Sequence, residues 1–368
     1  MKKFLAIILT VLMVAATFTA CSANVDGLMT GANSDLVNNP AGNPIYPNGV
    51  VNPNASVGGS ESASESGSGS GSDEASSGEG SSEIVDNTTY TRNGSEVEFG
   101  SYPQASVTAA EVIEILNGKA GTPGGENWTS YGYSNSMWYI DVQDSGKKYR
   151  GVYFTDYRPN NASNSSEDPY YQDNNGYDSN KVYWFEYQPI KWTVINEGTG
   201  KVLLLCNISI DSQPYGAYSN AYAQSTIRVW LNDTFYKTAF NVLQQELIET
   251  TNLDNSVAST GHGENTYASS NTDDKIFLLS RAEVKDYAYG VTAESTRQRG
   301  ASDYALAQGK YVDSNSVGWW WLRSPNPTDY SLAYRIKTDG TIHSTDVSAT
   351  SGGIVPALWL KLAEEDAA

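Results

Sequence analysis

The chain has 368 residues, 42 of them acidic and 23 basic, for a formal charge of -19. That sign opposes binding through the phosphates of nucleic acid, so no nucleic-acid partner is expected. The 25 tyrosines and 9 tryptophans are more aromatic surface than one core easily absorbs, and exposed aromatics often mark recognition sites.

The first twenty residues read as a secretory signal to be removed: Lys2 and Lys3, an apolar run from Phe4 to Val14, then small residues up to Ala20. Phe18-Thr19-Ala20-Cys21 resembles a bacterial lipobox, which implies diacylglycerol on the Cys21 thiol. The alternative is an ordinary signal with Cys21 near the cut. If Cys21 carries lipid, Cys206 is left alone, and its apolar run "KVLLLCNISI" makes it a small buried hydrophobe with no redox role. The lipid would tether the mature chain to the outer face of the cell membrane. Residues 21–87, centred on "GGSESASESGSGSGSDEASSGEGSSE", cannot bury enough apolar surface to order themselves and read as a self-repelling spacer.

At about Thr88 the composition turns aromatic and turn-rich, and a single domain is expected over 88–362, followed by an acidic tail, 363–368. Thr108 and Glu111 read as a capping box opening a helix with Ala109, Val112, Ile113 and Leu116 on one face, stopped at Gly118. A helix from Ser225 to Phe235 buries Ile227, Trp230 and Leu231. Another, "AFNVLQQELIET", groups Phe240, Leu243, Leu247 and Ile248. Ser280 and Glu283 form a second capping box, and "SDYALAQG" closes a short helix at Gly309. Strands are expected over 182–187, 191–195, 202–206, 276–279, 319–323, 333–337 and 354–362, with a hairpin turn at Asp339-Gly340. The class is α+β, with mainly antiparallel strands, a few short helices and long loops.

No motif announces a reaction. His262 and His343 lack a partner at metal-ligand spacing, no phosphate-cradling glycine loop is present, and no metal site is expected. Carboxylates are plentiful, but nothing singles out a glycosidase pair. The loop 156–180, "DYRPNNASNSSEDPYYQDNNGYDSN", has oxygen ligands that suit calcium without the regular spacing of a calcium loop, so calcium is possible and a polar surface loop is the plainer reading. In "GWWWLRSP", strand alternation puts Trp319, Trp321 and Arg323 on one face and Trp320 and Leu322 on the other. Arg323 then either pairs with a buried carboxylate or reaches the bottom of a groove. Trp319, Trp321, Arg323, Tyr330 and Tyr334 are the candidate ligand-binding residues, with a sugar as the natural ligand.

Six ordered motifs, "VEFGSYPQ" (97–104), "QPIKWTVI" (188–195), "STIRVWLNDTFYKTAF" (225–240), "DKIFLLSRAEV" (274–284), "GWWWLRSP" (318–325) and "IVPALWLKL" (354–362), resemble domain-of-unknown-function family 6273. The family occurs in secreted and lipid-anchored bacterial proteins. It resembles in turn the C-type-lectin fold, near its formylglycine-generating-enzyme branch. The resemblance implies that strands at "KWTVI" and "PALWL" pair, that two helices pack beside them, and that long loops form the exposed face. Val355 stands where relatives carry arginine. The branch's oxidase needs two active cysteines, so that activity is not expected with Cys206 alone. The expectation is a non-catalytic binding or adhesion module for a glycan or a surface protein. A cell-wall or glycan hydrolase and a structural envelope protein are the alternatives.

Overall fold

The structure, a computed structural model, describes residues 90–131, 137–155, 177–178 and 180–362. The signal, Cys21, the spacer, the acidic tail and nearly all of the loop 156–180 lie outside the described residues. No described helix is long and apolar enough to cross a membrane.

The class is α+β with mostly antiparallel sheets. The larger sheet runs β1 (Thr91–Asn93), β2 (Glu96–Ser106), β6 (Lys181–Gly198), β5 (Lys147–Phe154), β4 (Met137–Asp144) and β3 (Thr129–Tyr131). Strand β7 (Lys201–Cys206) joins β6, and β15 (Ala357–Lys361) joins β7. The smaller sheet has the order β13 (Ile342–Asp346), β12 (Leu332–Ile336), β11 (Trp320–Pro325), β14 (Gly353–Ile354) and β8 (Asp211–Ser212). Strands β9 (Thr251–Leu253) and β10 (Thr272–Asp274) pair separately.

Strand β6 is the spine. Its first half pairs with β5, its middle with β2, and its end with β7. The strands expected at 182–187 and 191–195 are thus one, although Pro189 between them has no N–H to donate. The partner absorbs the gap: β2 bulges between Glu98 and Ser101, with Gly100 at φ +73, and Ser101 faces Pro189. Hairpin β4–β5, absent from the expected strands, closes on Ser145 and Gly146, both at positive φ as a primed turn requires.

The strands carrying "KWTVI" and "PALWL" do not pair with one another. They flank β7, because the tight β6–β7 hairpin lays β7 beside β6 and leaves its far edge for β15. The segment 276–279 forms one bridge, Phe277 to Ala357, rather than a strand. Side chains take over its ladder: Asn232 Oδ1 accepts from the amides of Lys275 and Ile276, and Arg323 Nη1 donates to the Leu278 carbonyl.

Helix α1 (Ala110–Ala120) starts later than expected, capped by Ala109 without a side-chain bond, and runs past Gly118 to Gly121 at φ +69. It covers β4–β6 over a small second core of Leu116, Ala120, Trp128, Val142, Tyr149 and Trp184. Helix α2 (Thr226–Trp230), a π turn (Leu231–Phe235) and α3 (Tyr236–Ala239) form one continuous rod that buries Ile227, Trp230, Leu231 and Phe235. Helix α4 (Val242–Leu247) carries the Asn241/Gln244 capping box. Phe240 precedes it in extended backbone, which breaks the expected period and leaves Leu243 exposed. Two short helices, α5 (Glu294–Arg297) and α6 (Asp303–Ala307), complete the set. The main core joins both sheets and the rod, and Cys206 lies inside it, its thiol pushed up to about 11 by burial.

Candidate functional site: a polar cleft beside a buried ionic network

A cleft of about 840 Å3 opens between the larger sheet and the helical rod. Strand β2 supplies Glu98 to Ser101, the β4–β5 hairpin supplies Gln143 and Lys148, and the opposite wall is Lys237 to Asn241 with Gln244. Gly100 sets its width. A Cβ there would lie 2.5 Å from Phe240 Cε1 and 2.8 Å from the Ala239 carbonyl oxygen, so only glycine lets the end of α3 approach β2 this closely.

Asp141 fixes one wall. Its carboxylate accepts from Arg150 Nε at 2.8 Å and Nη2 at 3.0 Å, from the Tyr187 hydroxyl at 2.8 Å, and pairs with Lys148 Nζ at 3.2 Å. Burial opposes its ionisation, but the charge and hydrogen bonds of Arg150 with Lys148 hold the carboxyl at about 2. The Lys148 ammonium also sits 4.1 Å over the Tyr187 ring, so the one aromatic ring of this wall is locked in place.

Behind the wall lies a buried ionic network. The Arg150 guanidinium lies 4.4 Å from the Tyr139 ring centre and 6.0 Å from that of Tyr304. Tyr304 meets Tyr102 edge to face, and the Tyr102 hydroxyl donates to Asp211 Oδ2 at 2.7 Å. Asp211 Oδ1 accepts from the Ser212 amide at 2.6 Å. Burial pushes the Asp211 carboxyl up to about 6, against the pull of those two bonds and of Arg150.

The cleft lining is chemically mixed and nearly neutral. Lys147 pairs with Glu186 at 2.9 Å, Lys237 pairs with Asp233, and the amides of Gln143, Asn241 and Gln244 stand among the hydroxyls of Thr91, Ser101 and Thr238. Among its described lining residues Glu98 is the one acid, whereas glycoside hydrolysis uses two placed carboxyl groups. Such a lining suits a neutral polar ligand held by many weak hydrogen bonds, and the volume falls in the range of small-molecule sites. Among the described residues no three of His, Cys, Asp and Glu converge as metal ligands.

The residues expected to bind ligand lie elsewhere, and they do not form one surface. Trp319 is 4% exposed, Trp321 0% and Arg323 3%. Both rings are covered, so the tryptophan strand offers no open sugar platform, and Arg323 has taken the buried carboxylate partner that was the first of its two expected roles. Trp319 and Trp321 do share a face, 4.9 Å apart and edge to face, but Arg335 covers Trp319 at 4.6 Å and Trp321 Nε1 donates to the Gln213 carbonyl. Arg323 Nη2 donates to Glu283 Oε1 at 2.9 Å, and Glu283 also accepts from the Ser280 amide, so the second capping box and the buried ion pair are one device. Tyr334 points to the other face of the smaller sheet, half-buried against His262. Tyr330, 60% exposed, stands at the loop before β12.

Residues 199–362 match the domain of unknown function DUF6273. The matched stretch, less than half of the chain, is similar to that family. The last four of the six motifs fall within it, while 97–104 and 188–195 precede it. The match begins in the β6–β7 turn, so the matched residues share one hydrogen-bonded sheet with residues outside the match. The cleft straddles that boundary: β2 and β4–β5 precede the DUF6273 stretch, whereas α3 and α4 belong to it. No curated protein and no solved structure matches the chain.

Proposed function

We propose that the chain is a C-type-lectin-like binding or adhesion module, tethered outside the cell membrane by lipid on Cys21, and that its ligand, a glycan or the face of a surface protein, sits in the cleft between β2 and α3. What supports the reading is the lining: amides, hydroxyls and charge-balanced lysines in a volume of about 840 Å3. Saccharides present hydroxyls to groups of this kind. A glycan is the first choice over a protein because the cleft is concave.

The test is a glycan array probed with the full chain, with and without calcium, beside Gln143→Ala and Lys237→Ala variants. Binding that weakens about tenfold in either variant, as loss of one or two hydrogen bonds predicts, supports the cleft. Binding untouched by both moves the ligand elsewhere, and no binding to any glycan by the folded chain leaves a surface protein as partner.

A further inference from the structure

In a chain with 42 acids and 23 bases, a patch of positive charge without an acidic partner is unexpected, and one lies beside Tyr334. The Arg281 guanidinium stands 5.0 Å over the Tyr334 ring. Its Nη1 donates to the carbonyls of Thr260 and Gly261 at 3.2 and 2.6 Å, and its Nε is buried without a partner. On the same tyrosine the His262 ring is stacked at 5.5 Å, with Nε2 2.6 Å from the hydroxyl. Among the described residues neither Arg281 nor Lys285 enters an ion pair.

The acids beside Arg281 and Lys285 are engaged elsewhere, while Glu264, two residues from His262, is exposed. Glu283 is held by Arg323 and the Ser280 amide, and Asp286 accepts from the Ala288 amide. Burial, then the positive charges of Arg281 and Arg297, push the exposed Lys285 ammonium down. Burial, then Arg281 and Lys285, do the same to His262. The charges that act on His262 and Lys285 are thus of like sign, the arrangement that an incoming anion relieves. Arg281 is also pre-oriented: two carbonyls on Nη1 and an aromatic ring fix its plane, so little freedom is lost when Nη2 meets an oxyanion.

We propose that Arg281 and Lys285, with the His262–Tyr334 pair beside them, form a docking site for an oxyanion, the phosphate or carboxylate of an acidic ligand. The site stands on residues separate from the cleft and does not depend on it. Tyr334 is a positioning residue, its ring the floor on which Arg281 lies.

The chain's two histidines, His262 and His343, make the test direct. The imidazole signals of the full chain are followed by NMR against pH in chloride, in inorganic phosphate and in glucuronate at one constant ionic strength. A bound anion offsets the charges that hold His262 down, so its midpoint rises by roughly 0.5, the effect of one opposite charge about 6 Å away in water. His343, exposed on β13, is the internal reference signal. In Lys285→Gln, whose exposed side chain the fold does not need, and in Arg281→Gln, the rise is lost. A response to phosphate alone assigns a phosphate-bearing ligand, and one to glucuronate alone assigns a uronic acid. A His262 midpoint that is the same in all three media, that moves together with His343, or that still rises in Lys285→Gln overturns the proposal.

Discussion

Asp211→Asn is the most informative single change in the buried network. The substitution keeps the shape: Asn Oδ1 still accepts from the Ser212 amide, and the Tyr102 hydroxyl, now donating to Asp211 at 2.7 Å, turns to accept from the new amide. What changes is the charge. Burial raises the Asp211 carboxyl from 3.8 to about 6, so the folded state holds this proton more tightly than the unfolded chain does. Below 3.8 both states are protonated and Asp211 leaves stability unchanged. As pH rises from 3.8 to about 6 the unfolded chain releases its proton first, and stability falls. Above that range the loss levels off at about 3 kcal/mol, two pKa units at about 1.4 kcal/mol each. Urea unfolding followed by tryptophan fluorescence, at pH 4 and at pH 7.5, measures it. The variant should gain about 2.5 kcal/mol on the wild type between those two pH values, since the unfolded carboxyl is already partly ionised at pH 4. Asp141 does not intrude, because its folded value of about 2 makes its contribution present above 3.8 and lost only as pH falls below that. A wild-type-to-variant difference that is flat from pH 4 to 7.5, or of opposite sign, would refute a buried, desolvated Asp211.

Two further outcomes follow from the same geometry. Gly100→Ala adds a Cβ 2.5 Å from Phe240 Cε1 at a backbone φ of +73; it should cost about 2–3 kcal/mol through strain and overpacking, and because Phe240 lines the cleft it should weaken ligand binding as well, which thermal unfolding and the array measure separately. Lys310, 1% exposed, donates to the carbonyls of Tyr311 and Trp319, and burial first, then Arg335, push its ammonium well below 10.5; since the folded state holds this proton less tightly than the unfolded chain does, wild-type stability should rise as pH climbs towards 10.5, and Lys310→Met should remove that rise in the same urea titration.

Much of the fold was legible because local signals and tertiary packing agree in it. The Ser225–Phe235 helix, the "VLLLC" strand and the Asp339-Gly340 turn all carry a periodicity or a turn residue that the structure uses as written. Where sequence and structure part, a distant side chain or an unfamiliar device intervenes. Pro189 looks like a strand break until the bulge at Gly100, some ninety residues earlier, is known to face it. The run 276–279 is apolar enough for a strand, but Asn232 and Arg323 satisfy its backbone instead, and neither partner is visible from the run itself. The β4–β5 hairpin carried a usable signal, Ser145-Gly146 between two aromatic runs.

The site was less legible, for a reason specific to aromatic strands. Alternation placed Trp319 and Trp321 correctly on one face, but it cannot say what lies over that face. Here the cover comes from Arg335 on the next strand, from the Gln213 carbonyl and from the 351–353 segment, where a Cβ on Gly352 would strike both rings. A row of tryptophans is apolar area first, worth on the order of 2–3 kcal/mol or more for each ring buried, and a core takes that area unless geometry prevents it. The cleft, by contrast, is built from residues that look ordinary in sequence: Glu98, Gln143, Lys148 and Lys237 come from four separate elements. What could have pointed to it is the glycine in "VEFGSYPQ". A glycine at a bulge, opposite a proline on the long strand, marks the place where another element approaches the sheet, and at such a place a groove has its wall.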